Sequence, residues 1–466
     1  METTTTESTA GAIWQKSKWI IKGCVIGLIA ILMMIPMLYV KNLIKEREER
    51  QREATNEISS KWAGPQNIAG PVLCIPFLET ETDTSGKKIT TEHIAYFLPD
   101  ILNITSTVNP TEKHRGIFKV MLYNTKTNLT GSFNKVLFEK LSIASEALML
   151  NKAFVKLNLS DIQGLNDPVK LKWKDSLVEL SPQNSINAKD GISAPVQLTS
   201  INDLQNISFS TDIDLNGSEQ LLFTPLGKST TVTVNSSWKD PSFTGSILPQ
   251  PTEISDSGFT ATWKSMAHAR SFPQQWIDDE FRIDTYAPPY SGRQISDNYL
   301  SVDTFPDYAP GSIGKSSFGV NLFIPVNGYQ KALRTVKYAL LCILLTFAAF
   351  FLIETVHKKS AHPFQYGLVG LALILFYTLL LSFSEYTGFN IAYLIASTAT
   401  IGLIAWFVKG ILQSGKATTV LSVVLVLIYS YIFSILQLQD YALLFGSIGL
   451  FLTLAVIMYF SRKIAW

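Results

Sequence analysis

Apolar residues crowd the two ends of this chain and leave its middle polar, and that partition restricts the fold more than any other feature. Residues 23–40 carry no charge. As a helix rising about 1.5 Å per residue they reach roughly 27 Å, enough to cross the hydrocarbon core of a bilayer. A cleaved secretory leader would need small residues near its end, and 33–39 offers none, so an uncleaved anchor is expected. After Lys337 five more apolar blocks follow, at about 338–353, 364–384, 391–408, 418–436 and 441–460. Each has the length of a span, the first only just.

Orientation follows from the short loops, because Lys and Arg are retained in the cytoplasm. Lys16, Lys18, Lys22, Lys358, Lys359, Lys409, Lys416, Arg462 and Lys463 fall on one side, while the short loops near 385–390 and 437–440 hold no basic residue. Both termini are therefore expected in the cytoplasm, with about 41–337 outside. The cluster Lys331, Arg334 and Lys337 opposes this locally, but long translocated domains largely escape the charge rule. The expected layout is a cytoplasmic 1–18, a first span at 19–40, a helical stalk at 41–60, an extracytoplasmic domain at 61–330, a five-helix bundle at 338–460 and a cytoplasmic 461–466.

The expected stalk has helix-forming residues and no apolar face. Glu46/Arg50 and Glu48/Arg52 have the i,i+4 spacing that supports a solvated helix, and Gly64-Pro65 ends it; a disordered linker is the competing account. Beyond it, period-2 alternation dominates. Ile207, Phe209, Ile213 and Leu215 alternate with Ser208, Ser210, Asp212 and Asp214, the mark of a strand with one buried face. Similar runs start at Phe118, Val155, Val232 and Phe318, whereas Val136, Leu137, Leu141 and Leu148 predict a helix within 134–151. The fold class is thus an α+β membrane protein: six transmembrane helices, one N-terminal and five in a C-terminal bundle, carrying a β-sandwich-like outer domain. Cys74 is the sole cysteine of that domain, so no disulfide forms within it.

An internal duplication is also expected. Trp173-Lys-Asp175, Pro182-Gln183 and Gly191-Ile-Ser-Ala194 recur as Trp238-Lys-Asp240, Pro249-Gln250 and Gly258-Phe-Thr-Ala261, and Phe209 to Gln220 resembles Phe318 to Gln330. Chance recurrence in β sequence is the alternative. The second copy then holds an insertion near 264–310 whose aromatics include Trp276, Tyr286, Tyr290 and Tyr299, a candidate surface for a periplasmic or cell-wall partner.

Most motifs that resemble chemistry fail on inspection. Gly227-Lys228-Ser229 and Gly314-Lys315-Ser316 echo the end of a phosphate-binding loop but lack its first glycine. Asp212-Ile-Asp214-Leu-Asn216-Gly217 resembles half a calcium loop, yet Phe223 stands where a bidentate Glu belongs. The histidines do not cluster in sequence, and neither a nucleophile elbow nor a His-Glu-x-x-His motif is present. A net charge of +2 suggests no nucleic-acid partner. No cofactor, metal or catalytic residue is expected; the partner that is certain on composition is the lipid bilayer.

Ionisable residues near the spans are the remaining candidates. Glu385 ends one apolar block after Ser382 and Ser384. Asp440 follows Gln437 and Gln439 at the same outer depth, and Glu354 lies at the inner rim. Glu385 and Asp440 are expected to approach each other, with Gln437 alongside, and to hold a shared proton or cation; plain loop solvation is the competing account.

Several longer blocks resemble a known family. Gly64-Pro-Gln-x-Ile-x-Gly-Pro-Val-Leu-Cys-Ile-Pro-Phe77, Pro225-Leu-Gly227 through Trp238, Pro241-Ser-Phe-Thr-Gly245, His362-Pro-Phe-Gln-Tyr366, Leu379-Leu-Leu-Ser-Phe-Ser-Glu385 and Leu436-Gln-Leu-Gln-Asp-Tyr-Ala-Leu-Leu444 are similar to the CreD family of bacterial inner-membrane proteins. Gln439 departs from it, since the family carries an acid there. The resemblance implies a cell-envelope integrity protein linked to cell-wall damage, β-lactam exposure and colicin tolerance, and it implies no reaction or ligand. A transporter or channel using the C-terminal helices is the alternative, because five helices exceed what anchoring requires.

Overall fold

A computed structural model describes residues 21–82, 87–182, 191–283, 311–322, 328–357, 360–437 and 444–449, together with 451, 455 and 458. The chain divides into two compact units, Met1–Arg50 with Val326–Trp466 and Gln51–Pro325.

Helix α1 (Ile21–Trp62), which belongs to the first unit as far as Arg50, begins as an apolar span, has one turn residue at Met33 and is helical throughout the charged residues 41–53. Pairs such as Arg50 to Glu46 (2.6 Å) and Lys61 to Glu57 (2.9 Å) bind successive turns of the polar half, as the i,i+4 spacing predicts. The helix stops two residues before Gly64-Pro65. Then come α2 (Gly328–Lys337), α3 (Ala339–Val356), α4 (Pro363–Thr387), α5 (Phe389–Leu412) and α6 (Gly415–Gln437). Among the described residues five helices, α1 and α3 to α6, are long and apolar enough to cross a membrane. Of the sixth expected span, 444–449 is helical and most of the remainder lies outside the described residues. The helices α4 and α5 are joined by Gly388 alone, at φ +78°, a conformation that a side chain would strain. The helix α2 was not foreseen.

The second unit holds β1 (Gln66–Thr82), β2 (Lys88–Phe97), β3 (Ile101–Arg115), β4 (Phe118–Lys135), β5 (Phe154–Leu159), β6 (Lys170–Trp173), β7 (Ser176–Glu179), β8 (Ser181–Pro182), β9 (Gly191–Pro195), β10 (Gln205–Ser218), β11 (Gln220–Phe223), β12 (Ser229–Ser236), β13 (Ser242–Gly245), β14 (Thr252–Ser255), β15 (Gly258–Met266), β16 (Gln275–Ile277) and β17 (Phe318–Asn321). One sheet runs β13-β17-β11-β1-β5-β9-β8, with β2 and β16 attached to β1; the other runs β14-β15-β12-β3-β4-β10-β6-β7. Most pairs are antiparallel, and β1/β11 and β12/β3 are parallel. The alternation read from β10 puts Ile207, Phe209, Ile213 and Leu215 inside. One core joins both sheets, where Trp263 of β15 stacks on Phe318 of β17 (5.7 Å) and meets Phe243 of β13 edge-on (5.6 Å). Gly245 makes that approach possible. At φ +109° its missing side chain would fall 2.3 Å from Phe318 Cα, so only glycine lets β13 lie this close to β17.

The Gly64-Pro-Gln block anchors the sheet with polar contacts. Gly64 N donates to Asp161 (3.0 Å), and buried Gln66 donates to the carbonyls of Asp161 (2.9 Å) and Asn216 (3.0 Å). Asn67 binds Ser317 (3.1 Å) and Thr224 (3.1 Å), which also bind each other (2.9 Å), so these buried polar groups find partners within the fold.

Two expectations need correction here. The segment 134–151 forms three short 3-10 turns, Phe138–Leu141, Ser145–Ala147 and Leu150–Lys152, because only scattered residues such as Phe138 and Ile143 find the core. Trp173 and Trp238, the anchors of the expected duplication, are not equivalent: the first is buried on β6 against Phe133 (5.7 Å), the second half-buried in the link from β12 to β13. The other matched blocks give no repeated unit either: Gly217 lies in β10 whereas Gly328 begins α2, and only the strand starts Gly191 and Gly258 are alike. Gly191 opens the edge hairpin β8/β9 of one sheet and Gly258 the edge hairpin β14/β15 of the other, while Phe209 and Phe318 lie on β10 and β17 in opposite sheets.

Candidate functional site: two charged clasps on the first helix

The helices α3 and α4 run antiparallel across a short link, so Glu354, near the end of α3, and Glu385, near the end of α4, lie at opposite ends of the bundle. Both acids reach α1. Lys22 and Arg47 are separated by roughly 38 Å of helix at about 1.5 Å per residue. Lys22 pairs with Glu354 and Arg47 with Glu385, so the first helix is held to the bundle at both ends.

The Glu354 clasp is closed. Its side chain is 0% exposed and that of Lys22 is 14% exposed. Lys22 Nζ and Ala361 N (3.0 Å) donate to Oε1, and Tyr366 OH donates to Oε2 (2.6 Å). The His362-Pro-Phe-Gln-Tyr366 block builds this arrangement. His362 Nδ1 accepts from Phe364 N (3.2 Å), Pro363 fills the first helical position, and Gln365 Oε1 accepts from His362 N (2.9 Å). That start aims Tyr366 at Glu354, its ring lying against Phe350 (4.7 Å) and Phe347 (5.6 Å). A charge this deep is tolerated because it is paired and its oxygens are hydrogen-bonded. Beside it opens a cavity of about 380 Å³ lined by Ile21, Lys22, Val25, Ser360, Ala361, His362 and Pro363.

The Glu385 clasp is looser. Arg47 Nε stands 3.6 Å from Oε1, with the arginine side chain 38% and the glutamate side chain 7% exposed, and Tyr329 OH of α2 donates to the same oxygen (3.0 Å). Ser384 turns back to the Leu381 carbonyl (2.8 Å) instead of joining it. Gln437 donates to Asn390 (2.8 Å), tying α6 to the start of α5. Asp440 lies outside the described residues. Glu385 is therefore partnered by a cation and a phenol.

Between the two ends the bundle interior is packed with rings. Phe376 meets Tyr429 (4.7 Å), Tyr377 (4.9 Å) and Tyr393 (5.3 Å), and Tyr393 OH donates to the Tyr429 carbonyl (2.8 Å).

Elsewhere the candidates resolve into packing. Asp212 accepts from Asn128 (2.7 Å), and Asp214 from Asn124 and Asn166 (both 2.6 Å), so the half calcium loop is a ladder of amides on the outer sheet face. Trp276, counted among the aromatics of a recognition surface, is buried on β16 and stacks on Tyr96 (5.4 Å); Tyr286, Tyr290 and Tyr299 lie outside the described residues. His93, unremarkable in sequence, contacts Asp278 (2.6 Å) and Glu79 (3.5 Å). Burial pushes the Cys74 thiol up to about 12, which leaves it unreactive. The partners Lys22, Arg47, Tyr329 and Tyr366 were missed. Lys22, bordering a charge-free run, and the tyrosine closing the His362 block were the available signals.

A profile described as "Inner membrane protein CreD" matches residues 18–466. The chain belongs to the CreD family. It is 28% identical over 440 residues to the inner membrane protein CreD of Escherichia coli (strain K12), an alignment covering 94% of this chain and 91% of that protein. As a CreD-family member with several apolar helices of spanning length, it is a membrane protein with a large β unit.

Proposed function

We propose that this chain is a non-enzymatic cell-envelope integrity protein of the inner membrane, acting through a β unit on the periplasmic side while the helices anchor it. The observation that carries this reading is the bundle itself, clasped to α1 at both ends and filled by Phe376, Tyr377, Tyr393 and Tyr429. A conduit would require a hydrated path, and these rings occupy the interior among the described residues. The basic residues near the spans support cytoplasmic termini. The partner sought is a periplasmic or cell-wall component contacting 264–310.

Two experiments test the proposal. In a strain lacking the gene, the chain should restore survival under β-lactam and detergent stress, and proteoliposomes should show no ion flux above empty vesicles. Flux that Glu385→Gln abolishes would establish the transport alternative. For orientation, Leu177→Cys in a Cys24→Ser background is suitable, because Leu177 is 66% exposed, Cys24 is exposed, and Cys74 and Cys342 are buried. A membrane-impermeant maleimide should label it rapidly in spheroplasts, and protection until lysis would reverse the assigned sidedness.

A further inference from the structure

The unforeseen helix α2 is amphipathic. Tyr329, Ala332, Thr335 and Val336 are buried, and its packing partners are α3, α4, α5 and α6. Tyr329 reaches Glu385 at the end of α4, and Lys331 Nζ lies 5.7 Å from the ring centroid of Phe389 at the start of α5. The helix therefore lies across the Glu385 end of the bundle and leads directly into α3, a helix long and apolar enough to span, so that α2 borders the end of that span. Lys331 and Arg334 remain half-buried there and Lys337 exposed. Among the described residues Lys331 and Arg334 form no ion pair; of the acids beside Tyr329, Glu385 is engaged by Arg47 and Tyr329, and Glu48 is buried with a partner of its own.

Lys331 and Arg334 thus carry positive charge, at the end opposite the Glu354 clasp, that no ion pair among the described residues answers. An amphipathic helix with a basic polar face at a membrane boundary satisfies that charge with acidic headgroups. We propose that Lys331, Arg334 and Lys337 of α2 hold the headgroup of an anionic phospholipid at the Glu385 end of the bundle. The ligand class is a phosphodiester lipid of the bilayer in which the chain resides. Arg334 supplies the planar donor fork suited to phosphate oxygens, and the two lysines supply flanking charge.

The test uses the full-length protein purified in mild detergent, with retained phospholipids counted by native mass spectrometry and rebinding measured in nanodiscs of phosphatidylglycerol or phosphatidylcholine. Wild type should retain phosphatidylglycerol selectively. The triple variant K331Q/R334Q/K337Q should lose at least about tenfold of that preference, given the attraction of each basic residue to an acidic surface. The charge-conserving K331R/R334K/K337R should keep it, as should Lys119→Gln in the β unit. Equal retention by the triple glutamine variant, loss by the charge-conserving one, or full displacement by millimolar inorganic phosphate would each overturn the lipid site.

Discussion

The two units hold their carboxylates by opposite means. In the helical unit Glu354 is sealed from solvent and answered by a full positive charge, an amide and a phenol. In the β unit Asp203 sits half-buried at a turn and is answered chiefly by neutral groups, the Thr199 hydroxyl (2.8 Å) and the N–H groups of Thr199 and Ser200 (both 3.0 Å), with Lys174 farther off (3.4 Å). In low dielectric a charge must be matched or neutralised, whereas in water a ring of dipoles suffices to favour the ionised form. Glu385 stands between these extremes, buried itself but paired to a partly exposed arginine.

The comparison is broken most directly at Glu354. Glu354→Ala or Lys22→Met should each cost about 3–5 kcal/mol by stranding the partner charge, and the double change Lys22→Met with Glu354→Gln should cost less than their sum. Thermal unfolding in detergent reads all three; additive losses would mean the two groups act separately. Tyr366→Phe, which removes one charge-assisted hydrogen bond and keeps the ring packing, should cost about 1.5–3 kcal/mol in the same assay. At the other end, Glu385→Gln should cost at most about 1 kcal/mol, and the difference should shrink in high salt. A loss as large and salt-independent as that at Glu354 would erase the distinction between the clasps. The smallest effect belongs to Asp203. First the Thr199 hydroxyl, then the N–H groups of Thr199 and Ser200, hold its carboxyl below the usual carboxylate range. Its contribution is therefore present above the unfolded carboxylate value near about 4 and fades as acid approaches the lower folded value. Asp203→Asn should lower stability slightly at neutral pH and flatten the acid limb of a stability-against-pH curve, the two proteins converging at low pH.

What was legible in the sequence divides along physical lines. Spans and strands were readable because their periodicities are local: the charge-free run at 23–40 lies in α1, and alternation around Ile207 lies in β10. The three-residue rhythm of α2 was local too, but charge drew attention away from Ala332 and Val336. The segment 134–151 had apolar residues at helical spacing without the tertiary partner that would reward a helix. The clasps were invisible for a different reason. Lys22 and Glu354 are 332 positions apart, and nothing in either neighbourhood names the other. Glu354 and Glu385 were singled out as rim acids, whereas the cations that answer them follow only from the packing of α1.

Fixing one helix at two points has a mechanical consequence. Lys22 and Arg47 turn α1 into a caliper whose jaws close on the two ends of a bundle, with roughly 38 Å of helix between them against a hydrocarbon core of about 30 Å. A span free to tilt adapts to thinner or thicker bilayers at modest cost, but a span pinned at both ends passes that mismatch to its pins. The weaker Glu385 jaw is the one to yield, so bilayer thickness should set how often the Arg47 end of α1 comes loose. One residue inserted between Lys22 and Arg47 would swing the far jaw by about 100° and put the gauge out of register.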